Sequence, residues 1–227
     1  MASGHPLDRP VWRALTERQS HLAQGGPAAI RLDPDCGPFA APADASPESL
    51  TALVDLIPEG AAIAVIDATD FRTPVGTKVV TAEPLNQMVA TVLALREVRF
   101  DIVPLTEDDA ANMLALAALT QPGPFAARTH QLGDFVGVKI DGRLVAMTGE
   151  RMKPNGFTEV SAVCTHPDHR GHGYAAALTG VVAARILARG EIPFLHVFPH
   201  NTGAIAVYER LGFALRRQMA LKVLAGR

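Results

Sequence analysis

The feature that most constrains the fold of this chain is a strand followed by a glycine-rich loop and a long apolar helix. Residues 158–165 have the composition of a strand, and the loop Arg170-Gly171-His172-Gly173 leads into the apolar residues 174–188. The N–H groups of a first helical turn lack partners, and the helix dipole favours negative charge there. The two glycines let the backbone approach an anion, and Arg170 adds positive charge. The segment predicts an α/β fold with a phosphate-binding loop.

Two nucleotide-binding signatures fit this loop. Gly171, Gly173 and Ala176 match the dinucleotide fingerprint G-x-G-x-x-A. That fingerprint also requires an acidic residue at the end of the next strand, within a fold that continues through several further strand–helix units. Here the next predicted strand, residues 194–198, ends in Phe-Pro-His, and only one helix and one strand region follow. The context therefore argues against a dinucleotide-binding fold.

The second signature, R/Q-x-x-G-x-G/A, is matched by Arg170, Gly173 and Ala175. It is the coenzyme A pyrophosphate motif of the GNAT acetyltransferase superfamily, which about the last 130 residues resemble. The segment TEVSAVCTHP, residues 158–167, is similar to the fourth strand of that family. The segment AIAVYERLGF, residues 204–213, is similar to its final helix and the Gly-Phe after it. The predicted elements from about Val98 onward also follow the family's order.

The resemblance implies a fold and a reaction. Residues 97–227 are expected to form a mixed, mostly antiparallel central sheet with helices on both faces. The implied enzyme is an acyltransferase that moves the acetyl group of acetyl-CoA directly to a primary amine in a ternary complex. The alternative is a non-catalytic acyl-CoA-binding or regulatory protein with the same fold.

The first 95 residues are rich in Ala and Pro and predict a smaller α/β region. Helices are predicted over residues 11–23 and 46–57, and strands over residues 61–66 and 77–80. The sequence leaves three roles open: a degenerate second copy of the fold, a cover on the acceptor side, or a dimerisation element. In the second half, further strands are predicted at residues 98–103, 135–140 and 143–148, and a helix from Thr106.

The resemblance also assigns site residues. Strand residues would pair with the pantetheine amides, the loop would hold the pyrophosphate, and the asparagine that caps the final helix would also contact the cofactor. The residues expected to bind the cofactor are Val163, Cys164, Thr165, Arg170, Gly171, His172, Gly173, Tyr174, Ala175, Asn201 and Tyr208. Tyr208 is also expected to protonate the departing thiolate. Glu159 and Glu150 are rival candidates for a general base, and a solvent-facing carboxylate without a catalytic role is the other interpretation of each.

Other reactive side chains have simpler interpretations. His166, His169 and His172 lie close together in sequence, but they occupy the loop assigned to pyrophosphate and suggest no convergent fourth ligand. No metal site is predicted. Cys164 lies within an apolar strand, where a thiol is usually an unreactive core residue.

Charge and composition restrict the partners. The chain of 227 residues has 21 Lys and Arg against 23 Asp and Glu and no basic run, which argues against nucleic-acid binding. Two distant cysteines and the absence of an apolar signal segment favour the cytoplasm, and residues 174–188 are too short to span a membrane. A homodimer and the identity of the acceptor, a small-molecule or a peptide amine, stay open.

Overall fold

The structure is a computed structural model that describes residues 4–226. The α-helices in this range are α1 (Pro10–Thr16), α2 (Pro47–Asp55), α3 (Ala110–Thr120), α4 (Tyr174–Ala188) and α5 (Thr202–Leu211). The strands are β1 (Ala23–Gly25), β2 (Ala29–Leu32), β3 (Ala40–Pro42), β4 (Ala62–Asp67), β5 (Thr77–Val89), β6 (Val103–Leu105), β7 (Phe135–Ile140), β8 (Arg143–Glu150), β9 (Phe157–Thr165), β10 (Ile192–Val197) and β11 (Ala214–Gly226).

Most of the strands within residues 4–226 form one large sheet of eight strands, in the order β4-β11-β5-β10-β9-β8-β7-β6. Each neighbouring pair is antiparallel except β9 and β10, which are parallel. Strands β1, β2 and β3 form a small antiparallel sheet. The predicted fold class, a mixed and mostly antiparallel sheet preceded by a smaller α/β region, is confirmed.

The N-terminal region contributes strands to the large sheet. β4 pairs with β11, and β5 lies between β11 and β10. The strand predicted over residues 77–80 is too short, since β5 continues to Val89. Pro84 discourages a central strand because it has no N–H to donate, but it lies where β5 pairs with β11 alone. The predicted boundary between the two regions, near residue 95, therefore falls between strands of the same sheet.

Local signals explain most of the helix ends. Ser46 caps α2 by accepting a hydrogen bond from the Ser49 N–H at 3.2 Å, and Pro47 occupies the first helical position. The helix predicted over residues 11–23 is wrong after Thr16, because a short 3₁₀ turn and β1 replace its second half. At the β7–β8 turn, Asp141 and Gly142 both have positive φ, as the predicted type I′ hairpin requires.

The strand predicted over residues 98–103 is largely wrong, because β6 begins only at Val103 and residues 91–102 have no regular secondary structure. Tertiary packing fixes this segment instead. The Ala94 N–H donates to the Leu211 carbonyl at 3.0 Å, and the Phe100 ring meets the Tyr174 ring edge-on at 4.7 Å. The segment therefore lies against α4 and the end of α5.

The two faces of the large sheet carry separate cores, and this arrangement positions the site. On one face, Leu178, Val182 and Ile186 of α4 pack on alternate residues of the central strands. On the other face, α1 and the small sheet pack on the intervening residues, including Phe194 and Ile66. Side chains alternate between faces along a strand, so Leu195 and Val197 face α4 while Phe194 and His196 face the N-terminal region. Among residues 4–226, no helix combines the length and apolar character needed to cross a membrane.

Candidate active site

The parallel strands β9 and β10 separate in the middle of the sheet. Their pairing runs only from Ile192 opposite Phe157 to Phe194 opposite Glu159. Beyond this point β9 carries a bulge: its register with β8 shifts, and Ala162 has a left-handed φ of 53°. Such a conformation is strained for a residue with a Cβ, and bulges bend a strand away from its neighbour. The result is a gap between the two strands.

A cavity of about 1180 Å³ lies at this gap. Its walls include the loop before α4 and the inner side of α5 on one face of the sheet. They also include Phe39, Ala64 and Ile66, which belong to the core on the opposite face. One cavity therefore connects both faces of the sheet through the gap.

The loop before α4 has the geometry of an anion-binding turn. Gly171 and Gly173 have φ values of 83° and 81°, a conformation that glycine adopts without penalty. An added Cβ at either position would meet no atom within 4 Å, so open space lies in front of the loop. The Arg170 side chain makes no ion pair or hydrogen bond with residues 4–226. Its positive charge is therefore available to a ligand in the cavity.

All of the residues predicted to bind the cofactor line this cavity: Val163, Cys164, Thr165, Arg170, Gly171, His172, Gly173, Tyr174, Ala175, Asn201 and Tyr208. Three further arginines, Arg96, Arg185 and Arg210, line the same cavity and have no acidic partner within the described residues. Sequence reasoning missed them, although Arg185 interrupts an otherwise apolar helix, which is a signal that an anion lies nearby.

Tyr208 lies in the wall formed by α5. Asn201 begins this helix, and its Oδ1 accepts a hydrogen bond from the Ala204 N–H at 3.2 Å. The Tyr208 side chain is buried, and its hydroxyl makes no hydrogen bond with residues 4–226. Burial raises the pKa of Tyr208 to about 12. The hydroxyl therefore keeps its proton at neutral pH and can donate it into the cavity.

Glu159 also lies in the cavity wall, but its carboxylate is fully engaged. Arg151 donates to it from Nε at 2.9 Å and from Nη2 at 2.8 Å, and His196 Nδ1 lies 2.8 Å from Oε1. Burial raises the pKa of Glu159, but the adjacent Arg151 guanidinium outweighs burial and brings the pKa down to about 2. Such a carboxylate is a weak base at neutral pH, so this geometry does not favour the base role predicted for it.

Glu150, the rival candidate for the base, lies outside the cavity. Its Oε2 pairs with Lys153 Nζ at 2.8 Å and its Oε1 with Arg189 Nη2 at 2.6 Å. The residue is buried at the end of β8, and both oxygens are engaged, one with Lys153 just after the strand and one with Arg189 at the end of α4. The structure therefore separates Glu150 from Tyr208 and the loop.

His196 belongs to a buried network that sequence reasoning missed. Gln87 Nε2 donates to the Leu7 carbonyl at 2.9 Å and lies 3.1 Å from His196 Nε2, while Arg216 Nη1 donates to Gln87 Oε1 at 2.7 Å. These contacts orient the amide so that His196 Nε2 accepts and Nδ1–H donates to Glu159. The signal was His196, a polar side chain within the otherwise apolar strand β10.

Cys164 and the loop histidines show no arrangement for covalent or metal chemistry. Burial raises the pKa of Cys164 to about 11, so the thiol stays protonated. His166 accepts a hydrogen bond from the Asp168 N–H, and the His172 ring stacks on Tyr174 with centroids 5.5 Å apart. Within residues 4–226, no group of His, Cys, Asp and Glu side chains is placed to hold a metal ion.

The chain is similar to several known proteins. A family model described as FR47-like protein matches residues 136–221. A solved structure of a protein from Novosphingobium aromaticivorans DSM 12444, assigned to the GNAT family of acetyltransferases, is 44% identical and has a TM-score of 0.90. That alignment covers 98% of this chain and 99% of the other.

Two more distant structures share the fold. A GCN5-related N-acetyltransferase from Kribbella flavida is 19% identical with a TM-score of 0.63, and the alignment covers 95% of each chain. An acetyltransferase of the GNAT family from Colwellia psychrerythraea is 13% identical with a TM-score of 0.53, over 87% of this chain and 80% of the other. No curated protein matches the chain.

Proposed function

The chain belongs to the GNAT family of acetyltransferases, and from that premise we propose that it transfers the acetyl group of acetyl-CoA directly to a primary amine. The observation that carries this proposal is the meeting of three features in one cavity. These are the loop at Arg170–Ala175, the gap between β9 and β10, and the protonated Tyr208 hydroxyl.

The residues present suit coenzyme A, whose phosphates are anionic. The N–H groups of the first turn of α4 and the Arg170 guanidinium would hold the pyrophosphate. Arg96, Arg185 and Arg210 line the same cavity and add positive charge to it. Beyond Glu159, the edge of β9 that faces β10 pairs with no strand within residues 4–226, so the backbone of Val163, Cys164 and Thr165 would pair with the pantetheine amides there. Acetyl-CoA would supply the acyl group as a thioester.

Tyr208 would assist the departure of the thiol. Transfer replaces a C–S bond by a C–N bond, while one proton leaves the amine and one reaches the departing sulfur. Because its pKa is raised, the Tyr208 hydroxyl is still protonated at a pH where a primary amine begins to lose its proton. The four contacts on Glu159 leave it no free oxygen lone pair for the amine, so in this proposal the amine proton passes to water.

The experiment measures release of free thiol from acetyl-CoA in the presence of a panel of primary amines. Tyr208→Phe should lower kcat by about 10²-fold and leave the Kd for coenzyme A within about two-fold, because only the proton donor is removed. Thr179→Val is the matched control. It also removes a buried hydroxyl that has no hydrogen-bond partner in the described part of the chain, but outside the cavity, and kcat should not change.

Two results would contradict the proposal in different ways. A Tyr208→Phe variant as active as the native protein would remove the tyrosine from the mechanism. Tight binding of acetyl-CoA without thiol release for any amine would instead favour a non-catalytic acyl-CoA-binding protein.

A further inference from the structure

The cavity face built by the N-terminal region differs in character from the face that carries the loop. The hydrogen-bonded side chains of Arg151, Glu159 and His196 border this face. The rest of its wall consists of aliphatic and aromatic side chains: Phe39, Ala64, Ile66, Leu85, Leu221 and Val223. Ile66 lies directly opposite Leu221 in the β4–β11 ladder, and Ala64 lies opposite Val223. These cross-strand pairs form a continuous apolar surface, because alternate residues of two neighbouring strands share one face.

Negative charge is scarce around the cavity. Among the described residues that line it, five are arginines and two are glutamates. One of the glutamates, Glu97, lies on the segment that packs against α4, away from the apolar wall. The other, Glu159, is neutralised by its two hydrogen bonds from Arg151. A positively charged group that lies against the apolar wall would therefore meet no carboxylate within residues 4–226 that is free to pair with it.

Arg151 borders this apolar wall. Its guanidinium lies 4.6 Å from the centre of the Phe39 ring, and its side chain is 10% exposed. A second ammonium group on an acceptor would be placed near this guanidinium without a counter-ion. Moving such a charge out of water into an apolar site is costly unless it is paired. An uncharged apolar group gains free energy in the same place because it is removed from water.

On the premise that the protein is an N-acetyltransferase, we propose that its acceptor is a small primary amine with an uncharged, apolar body. The body lies against Ile66 and Leu221 on the N-terminal face, and the amine points into the gap between β9 and β10. Amines with a second positive charge, such as diamines and polyamines, are poor acceptors. The N-terminal region thus selects the acceptor while the loop at Arg170–Ala175 holds the donor.

The test compares two amines of equal chain length, hexylamine and 1,6-diaminohexane. Calorimetry on the full-length protein saturated with coenzyme A gives binding without turnover, and thiol release from acetyl-CoA gives kcat/KM. Hexylamine should bind at least about 100-fold more tightly than the diamine, since the diamine buries an unpaired ammonium group. Equal or tighter binding of the diamine, or no binding of hexylamine, would overturn the proposal.

Variants of the wall provide the second arm. Ile66→Glu and Leu221→Glu each place an unpaired carboxylate where the second ammonium group would lie, so the preference should move toward the diamine by at least about 10-fold. Leu221 is only partly buried, so its variant tests the wall even if Ile66→Glu does not fold. Val80→Glu adds the same charge at a position on β5 that is 58% exposed and outside the cavity, and should leave the preference unchanged.

The two readouts separate this inference from the proposed function. If hexylamine binds tightly but no amine is acetylated, the apolar pocket stands and the transfer reaction is wrong. If amines with a second positive charge are acetylated in preference to hexylamine, the transfer reaction stands and the proposed acceptor class is wrong. A wall variant that folds and keeps the native preference would also contradict the assignment of the wall.

Discussion

Replacement of Arg151 by methionine should destabilise the protein strongly, because Glu159 would remain buried without its main counter-charge. The Glu159 side chain is completely buried and the Arg151 side chain is 10% exposed. Removing one partner of such a pair typically costs about 3–5 kcal/mol. An unfolding entropy of about 2.1 cal/mol/K per residue gives about 0.5 kcal/mol/K for 227 residues. The midpoint of thermal unfolding, Tm, should therefore fall by about 6–10 °C.

A second substitution shows whether the lost stability comes from the unpaired charge. The double variant Arg151→Met, Glu159→Gln buries two neutral side chains of similar volume and should recover most of the loss, to within about 1–2 kcal/mol of the native protein. Chemical denaturation of the native protein, the two single variants and the double variant gives the coupling free energy between Arg151 and Glu159 directly. If Arg151→Met costs less than about 1 kcal/mol, or if the double variant is no more stable than the single one, the unpaired charge does not control stability.

The same pair predicts a dependence on pH. The folded-state pKa of Glu159 is about 2, below the ordinary value of 4.5. A depressed carboxyl pKa contributes stability that is fully present above the ordinary value and is lost as the pH falls toward the folded value. In Arg151→Met the remaining burial raises this pKa instead, so Glu159 protonates readily at low pH. The stability difference between the native protein and this variant should therefore shrink between about pH 5 and pH 3.

Three further predictions address the cavity and its surroundings. Gly173→Glu should abolish coenzyme A binding in calorimetry, because it places a carboxylate at the anion-binding turn and a side chain at a φ of 81°; unchanged affinity would contradict the loop assignment. Cys164 should resist alkylation in the folded protein at pH 7.5, since its pKa is about 11 and it is buried, and should react on denaturation. Gly212→Ala should lower the free energy of unfolding by at least about 1–3 kcal/mol, because the added Cβ would overlap the Val92 carbonyl at a φ of 102°; a loss below about 0.5 kcal/mol would refute this.

Sequence reasoning brought together residues of the proposed donor side that line one cavity, because their determinants are local. Arg170, Gly171 and Gly173 are consecutive or nearly so, and the strand and helix beside them have clear composition. Asn201 and Tyr208 belong to one short helix whose cap is visible in the sequence. Tertiary packing of α5 against α4 then brings both groups to the same cavity.

The proposed acceptor side was not predictable in the same way, because long-range strand pairing creates its apolar wall. Ile66 and Leu221 are 155 positions apart and become neighbours only through the β4–β11 ladder. In the sequence, Glu159 looks like a solvent-facing carboxylate on a strand. Only its contacts with Arg151 and His196 show that it is buried and hydrogen-bonded. A strand was predicted over residues 98–103 because their apolar side chains suit one, but packing against α4 decides the conformation of this segment.

The position of β5 explains why the gap in the sheet can persist in a folded protein. An unpaired strand edge in the middle of a sheet exposes N–H and C=O groups, and such an edge tends to close or to recruit another strand. Here β10 is held on its other side by an antiparallel ladder with β5, from Phe194 opposite Val89 to Val197 opposite Asn86. β5 is in turn held along its length by β11. The N-terminal region therefore holds the β10 side of the gap as well as providing the apolar wall. The proposed donor and acceptor sites would therefore share a cavity in the second half of the chain, one side of which is held by a strand from the first half.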